Sequence, residues 1–206
     1  MVSEQQQVFE MMDLDSLTSL LLNANQRPDV QRAAISAMSR RSPLQRNAKL
    51  ALIIEQVVSF PERYNQDVMI SLIDILATDP EPDATATMIE VLPKVLDAAM
   101  TPGGALKPQF RRYFYQALVS RRRESDIPVW QEMLPQLKPD TIAAALLDPV
   151  AKPLNALEPF TLISRLSRQK RNRLLWRVMF GALGRGNLML ASKALRTMLS
   201  SGRSSA

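Results

Sequence analysis

The sequence contains neither cysteine nor histidine among its 206 residues. Without an imidazole, the chain has no histidine general base, no Ser-His-Asp triad and no histidine ligand for a metal. Without a thiol, it has no disulfide, no cysteine nucleophile and no cysteine-bound zinc or iron–sulfur cluster. These absences exclude most catalytic plans, so we expect a protein that is not an enzyme and has no cofactor, metal site or catalytic residue.

Glycine is also scarce, with only 6 residues in the chain. Gly103-Gly104 and "GALGRGN" at 181–187 lack the lysine and hydroxyl residue that end a phosphate-binding loop, and no strand is predicted before either of them. Phosphate-loop catalysis is therefore excluded. An enzyme that relies on carboxylates or lysine alone is the third hypothesis, and no pair of acidic residues marks a site for it.

Long apolar runs are missing as well. The stretch "LALIIEQVVSF" at 50–60 is interrupted and much shorter than the roughly 20 residues that a membrane-spanning helix needs. The first residues, "MVSEQQQVFEMMDLD", are polar and acidic, unlike the basic start and apolar centre of a signal peptide. We therefore expect no membrane span and a cytoplasmic location.

What the sequence does contain is a series of helical patterns. Ala, Leu, Met, Gln and Arg dominate, whereas the alternating runs that are typical of strands are rare. Short breaks with Pro, Gly, Asn or Asp separate the apolar segments, so we predict an all-α fold of stacked antiparallel helical hairpins. The predicted helices cover approximately residues 4–12, 15–24, 29–40, 43–59, 65–78, 84–100, 108–123, 126–136, 139–147, 159–184 with a break near Ser167, and 187–200.

The stretch "RPDVQRAAISAM" at 27–38 shows the helical pattern clearly. Pro28 and Asp29 favour a helix start, because proline fits the first turn and a carboxylate suits the positive end of the helix dipole. Small apolar residues then recur at spacings of three and four, which predicts a face that a second helix can approach closely. This face consists of Val30, Ala33, Ala34, Ala37 and Met38.

The segment "PDVQRAAISAM" resembles the first helix of a HEAT repeat, in which an aspartate-valine start, an arginine and a small-residue face recur. The resemblance is clearest in residues 27–100, and the helix starts near Asp29, Gln66 and Pro108 are spaced by roughly forty residues, as in two-helix solenoid repeats. The resemblance implies a HEAT-like α-solenoid, a shape that mostly serves scaffolds and adaptors and in a minority binds nucleic acid. A globular helical bundle is the alternative architecture.

Charge divides the chain into two halves of opposite sign. Residues 1–100 contain 8 Lys plus Arg and 14 Asp plus Glu, a net charge of −6, whereas residues 101–206 contain 18 and 6, a net charge of +12. We predict one helical domain over residues 1–200, with an acidic half at 1–100, a basic half at 101–200 and a flexible tail at 201–206. Such a chain can attract an acidic partner to its basic half or associate with copies of itself.

Two basic clusters are candidate binding sites for a partner or for phosphate. The first lies in "KPQFRRYFYQALVSRRRE" at 107–124, where apolar residues at helical spacing predict a buried face. The side chains predicted on the opposite side are Arg111, Arg112, Arg122 and Arg123, with Tyr115 beside them.

The second cluster lies in "SRQKRNRLLWRVMFGALGRG" at 167–186. Lys170, Arg173 and Arg177 line the side of the helix that is opposite its predicted buried face, and Trp176 lies on the border. Cations beside an aromatic ring can hold phosphates while bases stack on the ring, or can hold an acidic helix of a protein partner. The simpler interpretation is that Trp176 and Phe180 cover the core.

Together these patterns predict a non-catalytic adaptor or scaffold that presents a helical surface to another protein with an acidic surface. The alternative is a nucleic-acid-binding protein that contacts phosphates through its basic carboxyl-terminal half. Salt distinguishes the two, because phosphate neutralisation predicts an affinity that falls steeply with salt, whereas an apolar protein interface changes much less.

Overall fold

The computed structural model describes residues 4–100, 105–121, 123–150, 163 and 166–200. Every regular element in these residues is helical and none is a strand, so the prediction of an all-α fold is confirmed. Short 3₁₀ turns lie at Pro61–Arg63, Glu124–Asp126 and Leu134–Gln136. The eleven α-helices of these residues are α1 (Glu4–Met11), α2 (Leu14–Leu22), α3 (Pro28–Ser39), α4 (Pro43–Ser59), α5 (Gln66–Thr78), α6 (Asp83–Met100), α7 (Pro108–Ser120), α8 (Ile127–Met133), α9 (Pro139–Leu147), α10 (Arg168–Gly184) and α11 (Leu188–Ser200).

Most of the predicted helix boundaries agree with the structure to within two residues. The helix predicted over 108–123 ends at Ser120, because the backbone of Arg121 leaves the helical region with ψ 40°. The break predicted near Ser167 is confirmed, since the Ser167 side chain accepts the N–H of Lys170 at 3.5 Å and starts α10 there. The parts of the predicted 159–184 helix at 159–162 and 164–165 lie outside the described residues.

The chain divides into two compact units, Met1–Arg121 with α1 to α7 and Arg122–Ala206 with α8 to α11. One domain over 1–200 with two charged halves stays a prediction, and the tail at 201–206 lies outside the described residues. The HEAT-like arrangement also stays a prediction.

In the first unit, helices pack against the helix two places along the chain as well as against their immediate neighbours, as α2 and α3 do. The helices α1, α3, α5 and α7 follow one another in this way, and α2, α4 and α6 do the same. The pattern needs small or apolar residues on two sides of each helix, and α3 provides them, with Ala34 and Met38 fully buried. Of the face predicted from "RPDVQRAAISAM", Ala34, Ala37 and Met38 are buried, whereas Val30 and Ala33 are half-buried.

A buried arginine network holds the turn between α5 and α6, a feature that the sequence reasoning missed. Arg46 of α4 forms a buried ion pair with Asp79 at the end of α5. Arg121, also fully buried, donates to Thr85 Oγ1 at 2.8 Å and to the backbone carbonyls of Asp79 and Glu81. The acidic "TDPEPD" connector at 78–83 is thus fixed from two sides by cations.

The buried face of α7 is wider than predicted. Tyr115, predicted to lie beside the exposed arginines, is fully buried, and its ring meets the ring of Phe114 edge to face at a centroid distance of 6.3 Å. The reason is that α7 packs against both α5 and α6, so neighbours cover more than one side of it.

In the second unit, α10 packs against both α9 and α11. Together with parts of the preceding chain, these helices surround one apolar cluster, to which α10 contributes Leu174, Leu175, Val178, Met179 and Ala182. A Cβ atom on Gly181 would lie 2.5 Å from Leu147 Cδ1, so this glycine allows α9 to approach α10 closely.

Candidate docking surface

The hairpin of α10 and α11 is built around a tight turn. Gly186 adopts φ 70°, a left-handed conformation that glycine accepts without a Cβ clash. The N–H of Asn187 donates to the carbonyl of Ala182 at 2.8 Å, and the Asn187 side chain accepts the N–H of Leu190 at 3.1 Å. These bonds satisfy backbone groups at the end of α10 and the start of α11, and they fix the two helices as a pair.

Trp176 and Phe180 form a stacked aromatic pair on α10. Their ring centroids lie 5.3 Å apart with an angle of 17° between the ring planes. The two residues are one helical turn apart and lie on the side of α10 away from the buried cluster, so Trp176 is 49% exposed and Phe180 is 60% exposed. The simpler interpretation, that these rings cover the core, is wrong.

The helix α11 also exposes large apolar side chains. Leu188, Leu195 and Leu199 recur at spacings of seven and four residues, and all three are exposed. Both helices turn their buried side chains into one cluster, and these exposed side chains lie outside it. We call the exposed large apolar side chains of the hairpin other than Met189 the hairpin face; they are Trp176, Phe180, Leu183, Leu188, Leu195 and Leu199.

Exposed apolar side chains are concentrated in this hairpin. Of the 14 large apolar side chains that are exposed in the described part of the chain, 7 belong to residues 168–200, namely the hairpin face and Met189. Large apolar residues scattered singly over a surface need no explanation, whereas a concentration of them marks a binding surface.

The predicted cations of α10 differ in what they contact. Arg173 is exposed on the same side of the helix as the stacked rings. Arg177 forms an ion pair with Asp140 of α9, with Nη1 and Oδ1 2.6 Å apart, and Lys170 donates from Nζ to the carbonyl of Pro135 at 2.6 Å. Two of these three cations therefore already have partners within the unit.

The charge of the hairpin is of one sign. Residues 168–200 contain eight Lys or Arg and no Asp or Glu. Three of these cations lie in the first turn of α10, where they oppose the helix dipole and where the helix itself has no acidic residue. This arrangement is unfavourable for the isolated helix and favourable for an approaching anionic group.

The described arginines of the first basic cluster belong to two different units, so a common binding surface for them stays a prediction. Arg112 is exposed and Arg111 is half-buried, both on α7. Arg123 donates from Nε to the buried carboxylate of Asp126 at 3.0 Å, which fixes the start of α8. Arg122 lies outside the described residues.

The leucines of α11 are the functional candidates that sequence reasoning missed. The spacing of Leu188, Leu195 and Leu199 could have indicated a second apolar side of α11, in addition to its buried side. A helix that is apolar all round is either buried on all sides or has an unoccupied apolar face, and the sequence does not distinguish these cases.

Comparison of the chain with protein-family models, curated proteins and solved structures finds no match. No helix in the described residues is long and apolar enough to cross a membrane. Within the same residues, no group of three or more acidic side chains is arranged so that it could hold a metal ion.

Proposed function

We propose that this chain is a non-catalytic, cytoplasmic adaptor of HEAT-like helical architecture, and that the hairpin face docks a partner protein with an acidic surface. The observation that carries the proposal is the exposed Trp176–Phe180 stack. Aromatic residues dominate the energetics of protein interfaces because they bury a large area and lose little conformational entropy.

The packing order in the first unit supports the HEAT-like part of the proposal. Successive contacts from α1 to α3 to α5 to α7, and from α2 to α4 to α6, are what two layers of stacked helical repeats require. In such an architecture, each repeat contacts its neighbours and leaves other helix surfaces available for binding. Because the fold alone does not identify the partner, the partner has to be inferred from the side chains of the hairpin face.

The charge of the hairpin supports an acidic partner. Arg173 lies beside the stacked rings, and residues 168–200 contain no acidic residue that would compete for it. A carboxylate on the partner would pair with Arg173 at the edge of an apolar contact, which mainly provides orientation and a faster encounter.

Two observations favour protein over nucleic acid as the partner. Arg177 and Lys170 already contact Asp140 and Pro135, so they are less available for phosphates. Exposed leucines such as Leu195 contribute to an apolar interface but add little to phosphate binding.

Photo-crosslinking in the native cells tests the proposal. A photoreactive phenylalanine analogue replaces Trp176 in one variant and Gln131, an exposed residue of α8, in the control variant. We expect a protein adduct at position 176 that is absent or much weaker at position 131. Equal protein adducts at both positions, or none at position 176, would contradict the proposal.

Nucleic-acid binding is the second candidate, because stacked exposed rings beside Arg173 also suit single-stranded bases and phosphates. Fluorescence anisotropy with short single- and double-stranded oligonucleotides, at low and near-physiological salt, measures it directly. Salt-sensitive binding that is lost in the Arg173→Ala/Arg177→Ala variant would favour this candidate over the protein partner.

A further inference from the structure

A surface that complements the hairpin face combines acidic and apolar side chains, and the amino-terminal helices of the same chain carry both kinds. We propose that the hairpin face of one copy docks the amino-terminal helices α1 and α2 of a second copy. The inference rests on the proposed function of the hairpin face as a protein-docking surface and names its partner.

Charge disfavours the hairpin face as its own partner. Two hairpins packed face to face would bring two basic segments together, each with an exposed Arg173 beside the stacked rings and with no acidic residue in residues 168–200. Like charges across an interface cost free energy and suppress association. A symmetric dimer through this face is therefore disfavoured, and the complementary surface must lie elsewhere.

The amino-terminal segment has the complementary charge. Residues 1–26 contain four Asp or Glu and no Lys or Arg, the reverse of the hairpin. The side chains of Asp15 and Glu10 stay 80% and 38% exposed although they pair with Lys49 and Arg40. This segment therefore presents partly neutralised negative charge to an approaching copy.

The same segment also exposes apolar side chains. Val8 is 59% exposed and Met11 is 89% exposed, and their spacing of three residues places them on one side of α1. Met11 is a flexible side chain that adapts to an aromatic surface such as Trp176–Phe180, with which a thioether makes favourable contacts.

The helix α1 is held in place, so it can dock without first having to fold. Phe9 is buried and anchors the inner side of α1. Glu10 forms an ion pair with Arg40, and Arg41 donates from Nη2 to the Glu10 carbonyl at 2.6 Å. A preformed surface loses less conformational entropy on binding than a flexible segment does.

The proposed contact joins two different surfaces, and every copy carries both of them. Such a heterologous contact forms rings if the rotation closes and open chains if it does not, so the assembly can grow beyond a dimer. Part of the attraction is electrostatic, so self-association should weaken as salt rises.

Sedimentation velocity of the full chain, over a range of protein concentrations at low and high salt, tests the proposal. Met11→Lys blocks the amino-terminal surface and Phe180→Asp blocks the hairpin face. Leu44→Lys is the matched control, because Leu44 is another exposed apolar residue of the first unit, on α4. Circular dichroism confirms that each variant is folded.

We expect the average mass of the wild type and of Leu44→Lys to rise with concentration, and to rise less at high salt. In each blocked variant the dissociation constant for self-association should rise at least about tenfold, because the loss of one central interface residue typically has an effect of this size. A mixture of the two blocked variants should form a one-to-one dimer, since Phe180→Asp supplies an intact α1 and Met11→Lys supplies an intact hairpin face.

Three results would overturn self-docking: a wild type that stays monomeric at every concentration, association that Met11→Lys leaves unchanged, or a mixture that stays monomeric. Each of these is distinguishable from failure of the proposed function. A monomeric chain that still crosslinks another protein at position 176 removes only the second copy as the partner. A monomeric chain without any adduct there contradicts both proposals.

Discussion

Replacing Arg121 by methionine tests whether the first arginine of the "RRR" run at 121–123 is structural. Its guanidinium is fully buried and donates to Thr85 Oγ1 and to the carbonyls of Asp79 and Glu81. Methionine fills a similar volume but donates no hydrogen bond, so these three acceptors and the Leu76 carbonyl lose the guanidinium as a donor. An unsatisfied buried acceptor costs about 1–3 kcal/mol, so four acceptors, one of them only partly buried, give a total loss of roughly 3–4 kcal/mol at the lower end of that range.

Urea unfolding followed by circular dichroism measures this loss. With a slope of about 2 kcal/mol per molar urea, the unfolding midpoint should fall by roughly 1.5–2 M in Arg121→Met. The matched control is Arg112→Met on the exposed side of α7, which should change the free energy of unfolding by less than about 0.5 kcal/mol. Similar midpoints for the two variants would contradict a structural role for Arg121, because the buried and the exposed arginine would then contribute equally.

Three further predictions concern the packing face of α3, the basic side of α10 and the cap of α2. Ala34→Asp places a charge at a fully buried helix contact and should cost at least about 3 kcal/mol; an unchanged melting temperature would contradict the packing. Arg173→Ala/Arg177→Ala should leave the melting temperature nearly unchanged, since an exposed ion pair contributes little, and should lower the yield of protein adduct at position 176. The backbone N–H and the hydroxyl of Ser16 lower the pKa of Asp13 below its usual value, so Asp13→Ala should lower the melting temperature at pH 7. The difference in melting temperature from the wild type should persist above about pH 4 and shrink as the pH falls through the lowered pKa of Asp13. Equal differences at pH 7 and near pH 2 would exclude a charged cap.

Helix positions could be predicted from the sequence because their signals are local. Pro28, Pro43, Pro108 and Pro139 each stand at the start of a helix, where a missing N–H has no cost. Apolar residues at spacings of three and four then identify the buried side. The structure adds little to these assignments except at the ends of α7 and α8.

The degree of burial of single aromatic residues could not be predicted, because it depends on how many neighbours a helix has. Tyr115 was expected outside and is buried, since α7 contacts both α5 and α6. The simpler expectation placed Trp176 and Phe180 against the core, and both are exposed. Helical periodicity indicates the direction of a side chain, but tertiary contacts decide the width of the buried arc.

The roles of the individual arginines also could not be predicted from the sequence. Arg121 and Arg112 look alike in a basic stretch, yet one is buried and the other is exposed. The difference arises from carbonyl groups of Asp79 and Glu81, about forty residues away along the chain, that the fold brings to Arg121. A basic run is therefore a poor guide to binding until its buried members are known.

Solvent access to Trp176 tests the proposed docking surface most directly, since that surface depends on the exposure of this ring. In Trp130→Phe, Trp176 is the only tryptophan left, and in Trp176→Phe only the buried Trp130 is left. Acrylamide quenching at low protein concentration should be several-fold stronger for Trp176 than for Trp130, and should weaken as the concentration rises and copies associate. Equal, weak quenching of both tryptophans in the dilute protein would show that the chain itself covers the hairpin face, and the proposed docking surface would be wrong.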